Sequence, residues 1–230
     1  MNYKVLVLGL VSGCALQASI VNGNFATGDF TGWVIGGSDA NGQILPNLGP
    51  FTPTGSNFAL LSNGPGQVND PAVVLDSTTL TSIAYAVSPG ASLSIGFDFI
   101  SEEPNDGTGN PDLFSIKVVG LSTLTIASGA ISSGQSPISG GPVVAPDGST
   151  FVYEDGFTTL VTPLSIFAGQ NITIQFLVSD AVDNSFDSGL LLDNITGTGL
   201  SPAGSRAPEP STMVIVGLAT GLILARRIRT

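Results

Sequence analysis

The carboxylates of this 230-residue sequence are grouped. Glu102, Glu103, Asp106 and Asp112 fall in one segment. Asp180, Asp183 and Asp187 fall in another, with Asp193 soon after. Hard oxygen ligands at this density suit Ca²⁺, which takes roughly 6–8 oxygens and tolerates irregular geometry. The spacing is not that of an EF-hand loop, because no ordered series of acids ends in a Glu. These eight residues are therefore the candidate ligands of a structural Ca²⁺, which would relieve their repulsion and pin long loops. The competing reading is a solvated acidic face built from turn-forming Asp and Asn.

Paired carboxylates can also hydrolyse glycosidic bonds. Glu102 with Asp180 or Asp187 would have to stand ~5.5 or ~9 Å apart. Nothing in the spacing sets that distance, so a hydrolase is the least favoured class. Sugar-stacking rings are few, with one Trp, three Tyr and 12 Phe. Trp33 lies beside a turn and reads as a core residue. There is no His, and Cys14 is the single Cys. Ser-His-Asp and Cys-His catalysis and His/Cys zinc sites are thereby excluded from the body of the chain. Asn171-Ile172-Thr173 and Asn194-Ile195-Thr196 have the glycosylation spacing, but both Asn fall in strand-like sequence.

Charge narrows the partners. Six Lys and Arg face 17 Asp and Glu. Over residues 19–207 only Lys117 and Arg206 stand against 16 acids, a net charge of −14. Such a body has no basic patch for nucleic acid and would attract divalent cations or basic partners. Charged residues are only 10% of the chain and apolar residues 42%. Solubility must rest on Ser, Thr, Asn and Gly, as in many exported β proteins.

The elements that must position the acids are strands. Leu93, Ile95, Phe97 and Phe99 alternate with Ser94, Gly96 and Asp98. Ile172, Ile174, Phe176 and Val178 alternate with Thr173, Gln175 and Leu177. Phe151 to Phe157 alternates too. Period two predicts half-buried strands. Further strands are predicted at 33–36, 58–61, 79–86, 113–119, 124–130, 160–166 and 190–196, separated by Gly, Pro, Asn and Asp. The fold class is all-β, an antiparallel jelly-roll-like β-sandwich. Residues 132–149, rich in Gly, Ser and Pro, are expected to form a long surface loop. Both acid groups follow strong strands. If those strands are neighbours pointing the same way, the groups share one end of the sandwich.

The chain ends read as processing segments. Lys4, the apolar run Val5 to Val11 and the small residues after it make a secretory signal helix, cut after Ala18. The alternative is a lipoprotein signal at Val11-Ser12-Gly13-Cys14, which would leave almost no spacer before the strand-like Ser19 to Asn22. At the other end Pro208-Glu209-Pro210 precedes an apolar run over 213–225, then Arg226, Arg227 and Arg229. Thirteen residues make ~20 Å of helix, short of a ~30 Å bilayer core. The arginines would stay cytoplasmic and the body would face outward.

The trio at 207–230 resembles the PEP-CTERM sorting signal. That resemblance implies recognition by exosortase, transient insertion of the tail in the inner membrane, and its removal during export. A plain C-terminal anchor is the alternative, disfavoured by the short span. Asn22-Gly23-Asn24-Phe25 and Gly28-Asp29-Phe30-Thr31-Gly32-Trp33 resemble the opening of PEP-CTERM surface domains, which in turn resemble galactose-binding-like and carbohydrate-binding sandwiches. Segments 97–103, 112–114, 178–188 and 191–195 are similar to choice-of-anchor extracellular domains. This likeness implies an exterior location, and a second cation joining the first and last strands at Asn22 or Asn24 and Asp193.

The resulting organisation is a signal peptide at 1–18, a β-sandwich at 19–199, a linker at 200–207 and a sorting tail at 208–230. The expected function is that of an exported, non-enzymatic surface or matrix protein. Its association with extracellular polysaccharide is implied by the PEP-CTERM resemblance alone. A carbohydrate-binding module with structural calcium is the alternative.

Overall fold

A computed structural model describes residues 20–64, 76–102, 112–130, 135–180 and 186–204. The expected signal peptide at 1–18 and the expected sorting tail at 208–230, with Pro208, Glu209, Pro210, Arg226, Arg227 and Arg229, lie outside the described residues. So do Glu103, Asp106 and Asp183. Among the described residues no helix is long and apolar enough to cross a membrane.

The first strands are β1 (Trp33–Gly36), β2 (Asn41–Leu45), β3 (Phe58–Ser62), β4 (Ser77–Ser82) and β5 (Tyr85–Ser101). Then come β6 (Leu113–Val119), β7 (Thr123–Ala130), β8 (Ser136–Pro137), β9 (Val143–Val144) and β10 (Thr150–Phe151). The last are β11 (Tyr153–Glu154), β12 (Thr158–Pro163), β13 (Asn171–Ser179) and β14 (Ser188–Pro202). One short 3₁₀ turn, Ser165–Phe167, interrupts them.

Alternation decides what each strand buries. In β13, Ile172, Ile174, Phe176 and Val178 are buried, and the residues between them are not. Thr78, Leu80 and Ser82 do the same in β4. The first layer runs β1-β4-β13-β6-β7, every pair antiparallel. The second runs from β11 and β12 through β5, β14 and β3 to β2, also antiparallel. Asn171 and Ile172 pair with Ala86 and Tyr85, which joins the layers at one corner. Between them sits the main core, with Leu80, Ile116, Ile174 and Phe176 from one side and Leu61, Ile95, Phe99 and Leu192 from the other. Trp33 is buried in it against Phe25 and Phe176.

The all-β antiparallel sandwich is therefore as read from the sequence. Three local expectations change. Val21 and Asn22, in the strand-like stretch Ser19 to Asn22, make a turn and not a strand. The strand expected over 160–166 ends at Pro163. Segment 132–149 is more than a surface loop: Ile138, Val143, Ala145 and Ser149 are buried. With Phe151 they close over the outward face of the second layer, meeting Phe58, Leu60, Ile100 and Leu191 in a second apolar cluster. Leu190, Leu191 and Leu192 are consecutive and all fully buried because β14 is covered on both faces.

Candidate functional site

Two regions are candidate sites: an acidic end of the sandwich and the outward face of the first layer. At the acidic end, β5 and β13 belong to opposite layers and are neighbours only at their beginnings. Their far ends nonetheless converge. The Glu102 N–H donates to the Asp187 carbonyl at 2.7 Å, and the Asp180 N–H to the Asp76 carbonyl at 3.0 Å.

Asn63, just past β3, joins the two sides. Its N–H donates to the Ser188 carbonyl at 3.1 Å, and its Oδ1 accepts from the Ser188 N–H at 2.7 Å. Its Nδ2 donates to Asp112 Oδ2 at 3.0 Å and also to Asp180 Oδ1. Both carboxylates are almost sealed from solvent, at 4% and 3% exposure. Burial pushes Asp180 up to about 8; the charge of Asp112 adds to the rise, and the Asn63 amide opposes it. Asp39 is also raised, first by burial, then by Asp76 and Asp147.

The other predicted ligands are dispersed. Asp187 is buried and its Oδ2 accepts from the Thr150 N–H at 2.8 Å. Glu102 is half-buried beside it. Asp193 faces Gly96 in the middle of β5, away from the strand end. It accepts from the Thr54 N–H and hydroxyl at 2.6 and 2.7 Å, and from the Asn194 N–H at 2.6 Å.

Asn22 and Asn24 spend their side chains on their own turn: Asn22 on Asp29 and Thr27, Asn24 on Ala26. The first and last segments are tied by backbone instead, Ile195 N–H to Gly23 carbonyl at 2.8 Å. A Cβ on Gly23 would overlap the Ile195 carbonyl, so only glycine allows this approach.

A Ca²⁺ site fits the acidic end in part. Asp112 and Asp180 are a close pair of hard donors. Between them, however, stands the Asn63 amide NH₂, a donor, turned that way by the Ser188 bond to its oxygen. Among the described residues no three acids converge as a metal cage. The hydrolytic pairing of Glu102 with Asp180 or Asp187 meets the same geometry: both Asp residues are buried and engaged with Asn63 and Thr150.

The outward face of the first layer is open, unlike that of the second. Register sets out two rows of side chains across five strands. Val34, Thr81, Gln175, Lys117 and Thr125 form one. Gly36, Thr79, Leu177, Ser115 and Ser128 form the other. Two adjoining recesses, about 450 and 160 Å³, lie over these rows and share Ser115, Lys117 and Leu177. Ser115 is 9% exposed, and its buried hydroxyl has no hydrogen-bond partner. A buried hydroxyl on a solvent-side face marks a concavity. Neither row holds an acid. Lys117 is the only cationic side chain among the described residues.

Sequence reading found the acid groups but missed Asn63, Asp39 and Asp76 as their partners, and missed this face. Asn63-Gly64 was visible only as a turn signal. The rows depend on register between strands up to about a hundred positions apart, which periodicity within one strand does not encode.

No protein-family model matches the sequence, and no curated protein matches it. Among solved structures, the carbohydrate-binding module CBM61 in complex with β-1,4-galactotriose is similar at TM-score 0.47 and 13% identity, covering 77% of this chain and 95% of that one. The CBM27-1 module of Caldicellulosiruptor saccharolyticus in complex with mannohexaose gives 0.48 and 11%, covering 79% and 96%. The K1 cleaved adhesin domain of Lys-gingipain from Porphyromonas gingivalis gives 0.43 and 12%, covering 82% and 99%. The likeness extends to β-sandwich architecture and no further.

Proposed function

We propose that this chain is an exported, non-enzymatic protein that binds polysaccharide along the outward face of its first layer. The observation that supports this is the double row centred on Gln175, Lys117 and Ser115: hydroxyl and amide groups in a recess with a buried, unpartnered hydroxyl. A sugar hydroxyl would give Ser115 the partner it lacks. The second layer cannot offer the same surface around Leu60 and Leu191, because residues 138–151 cover it. The face has no exposed Trp or Tyr in either row, so polar contacts would dominate over stacking.

Binding is tested by titrating a panel of neutral and acidic glycans into the full chain by calorimetry. Gln175→Ala combined with Thr81→Ala should weaken binding about tenfold, at ~0.5–1.5 kcal/mol per lost hydrogen bond. Unchanged affinity in that double variant would remove the face as the site.

Export and sorting are part of the same proposal and rest on the sequence ends. Exosortase would act on Pro208-Glu209-Pro210 while the run at 213–225 and the three arginines hold the tail transiently in the inner membrane. Intact-mass measurement of the protein from its native host tests this, because a mature chain still carrying Arg226 to Arg229 contradicts it. A structural Ca²⁺ at the acidic end is a further proposal, supported by the Asp112–Asp180 pair and the raised pKa of Asp180.

A further inference from the structure

Lys117 is fourth in the five-strand row, between Gln175 on β13 and Thr125 on β7. It is half-buried and lines both recesses. No carboxylate occurs in either row, although the chain carries 17 acids in all. A lysine in a strongly acidic protein would ordinarily be neutralised by a neighbouring carboxylate. Around it on the face stand the hydroxyls of Ser115, Thr125 and Ser128, the amide of Gln175 and the apolar Leu177. Charge and hydrogen-bonding groups are thus arranged for a ligand that carries an anion among many hydroxyls.

We propose that the face selects acidic glycans, with the Lys117 ammonium taking a uronate carboxylate while Gln175 and the flanking hydroxyls take ring hydroxyls. This rests on the reading of the face as the polysaccharide site. A singly charged carboxylate is favoured over a phosphate monoester by charge number. One ammonium neutralises one charge, and the rest of the body, at −14 over residues 19–207, repels denser polyanions. That repulsion is damped beyond about 8 Å at physiological salt, so the short-range pair decides.

The test compares two polymers with the same backbone. Polygalacturonate and its fully methyl-esterified form, and alginate and its methyl ester, are titrated into the full chain at about 0.15 M salt. The free acids should bind about tenfold tighter than their esters. Lys117→Gln should abolish that preference and Lys117→Arg should keep it, both with an unchanged melting temperature. Equal affinity for acid and ester, or a preference that survives Lys117→Gln, overturns the inference. Tight binding of neutral mannan, galactan or glucan with refusal of the uronates defeats this inference alone and leaves the face as a glycan site. No binding to any polymer defeats both.

Discussion

At the scale of single residues, Asp98 is the most exposed to test. It points outward from β5, where alternation alone would leave it wet. Beside Glu154, Asp155 and Gly156 it is buried to 1% exposure, and neither carboxylate oxygen has a well-formed hydrogen bond. Burial, then Glu154 and Asp155, push its pKa up to about 7; the nearby Gly156 and Asp155 N–H groups temper the rise. The ordinary value is 3.8. Below that pH Asp98 is protonated in both the folded and unfolded chain and costs nothing. Between pH 4 and 7 only the unfolded chain ionises, so stability falls as pH rises, and the loss is complete above 7. The full shift corresponds to at most about 4 kcal/mol. Urea unfolding of Asp98→Asn should therefore match wild type near pH 4 and exceed it by ~2–4 kcal/mol at pH 8. Parallel pH profiles for the two proteins would show that Asp98 is not the titrating group. Asn63 works in the opposite sense. Asn63→Ala strips the amide from two buried carboxylates and should cost ~2–5 kcal/mol at pH 7. Equilibrium unfolding would measure it, and a loss under about 1 kcal/mol would mean the junction is solvated.

At the scale of elements, the cover is the main departure from the sequence reading. Phe151 is fully buried, and its ring approaches Gly189 on β14 so closely that a Cβ there would crowd it. Phe151→Ala should destabilise by ~3–5 kcal/mol, the cost of emptying a large core site. Val144→Ala in the same segment should stay within about 0.5 kcal/mol, because Val144 is exposed. Near-equal effects in a denaturant series would return the segment to an ordinary loop. The reasons for what was and was not legible follow from the same elements. β13 and the second half of β5 announce themselves because large apolar residues alternate with small or polar ones, although in β5 both faces are buried from Asp98 onward. Asn41–Leu45 has no such alternation; it is a strand because β3 pairs with it, which is a fact about β3. The cover is rich in Gly, Ser and Pro, and its buried Ile138, Val143 and Phe151 are too widely spaced to form a periodic signal. The two acid groups, one holding Asp112 and the other Asp180, were visible as composition, but the meeting of Asp112 with Asp180 was not. Asn63 reaches them across the fold, 49 and 117 positions away.

At the scale of the whole molecule, charge is the unbalanced quantity. The acids gather toward one end, and the single described cation stands on the face of the first layer, among hydroxyls and an amide. Self-repulsion of this kind weakens the compact state and is screened by any salt. A melting temperature that rises with NaCl is therefore expected and says nothing specific about calcium. The informative comparison is CaCl₂ against NaCl at equal ionic strength, with EDTA as the return. A bound ion between Asp112 and Asp180 would draw the raised pKa of Asp180 down and stabilise the fold by mass action, about 2.7 kcal/mol at a hundredfold excess over Kd. For a domain of this size that is a shift of roughly 5–10 °C. The calcium-specific part should vanish in Asp112→Asn/Asp180→Asn, while the NaCl effect remains. That double variant should also melt higher than wild type in EDTA, because it removes the repulsion between two buried carboxylates. If CaCl₂ and NaCl at matched ionic strength give the same curve, the acidic end is held by the protein's own hydrogen bonds, those of Asn63 among them, and the raised pKa of Asp180 reflects burial and the nearby Asp112 charge without a metal to offset them.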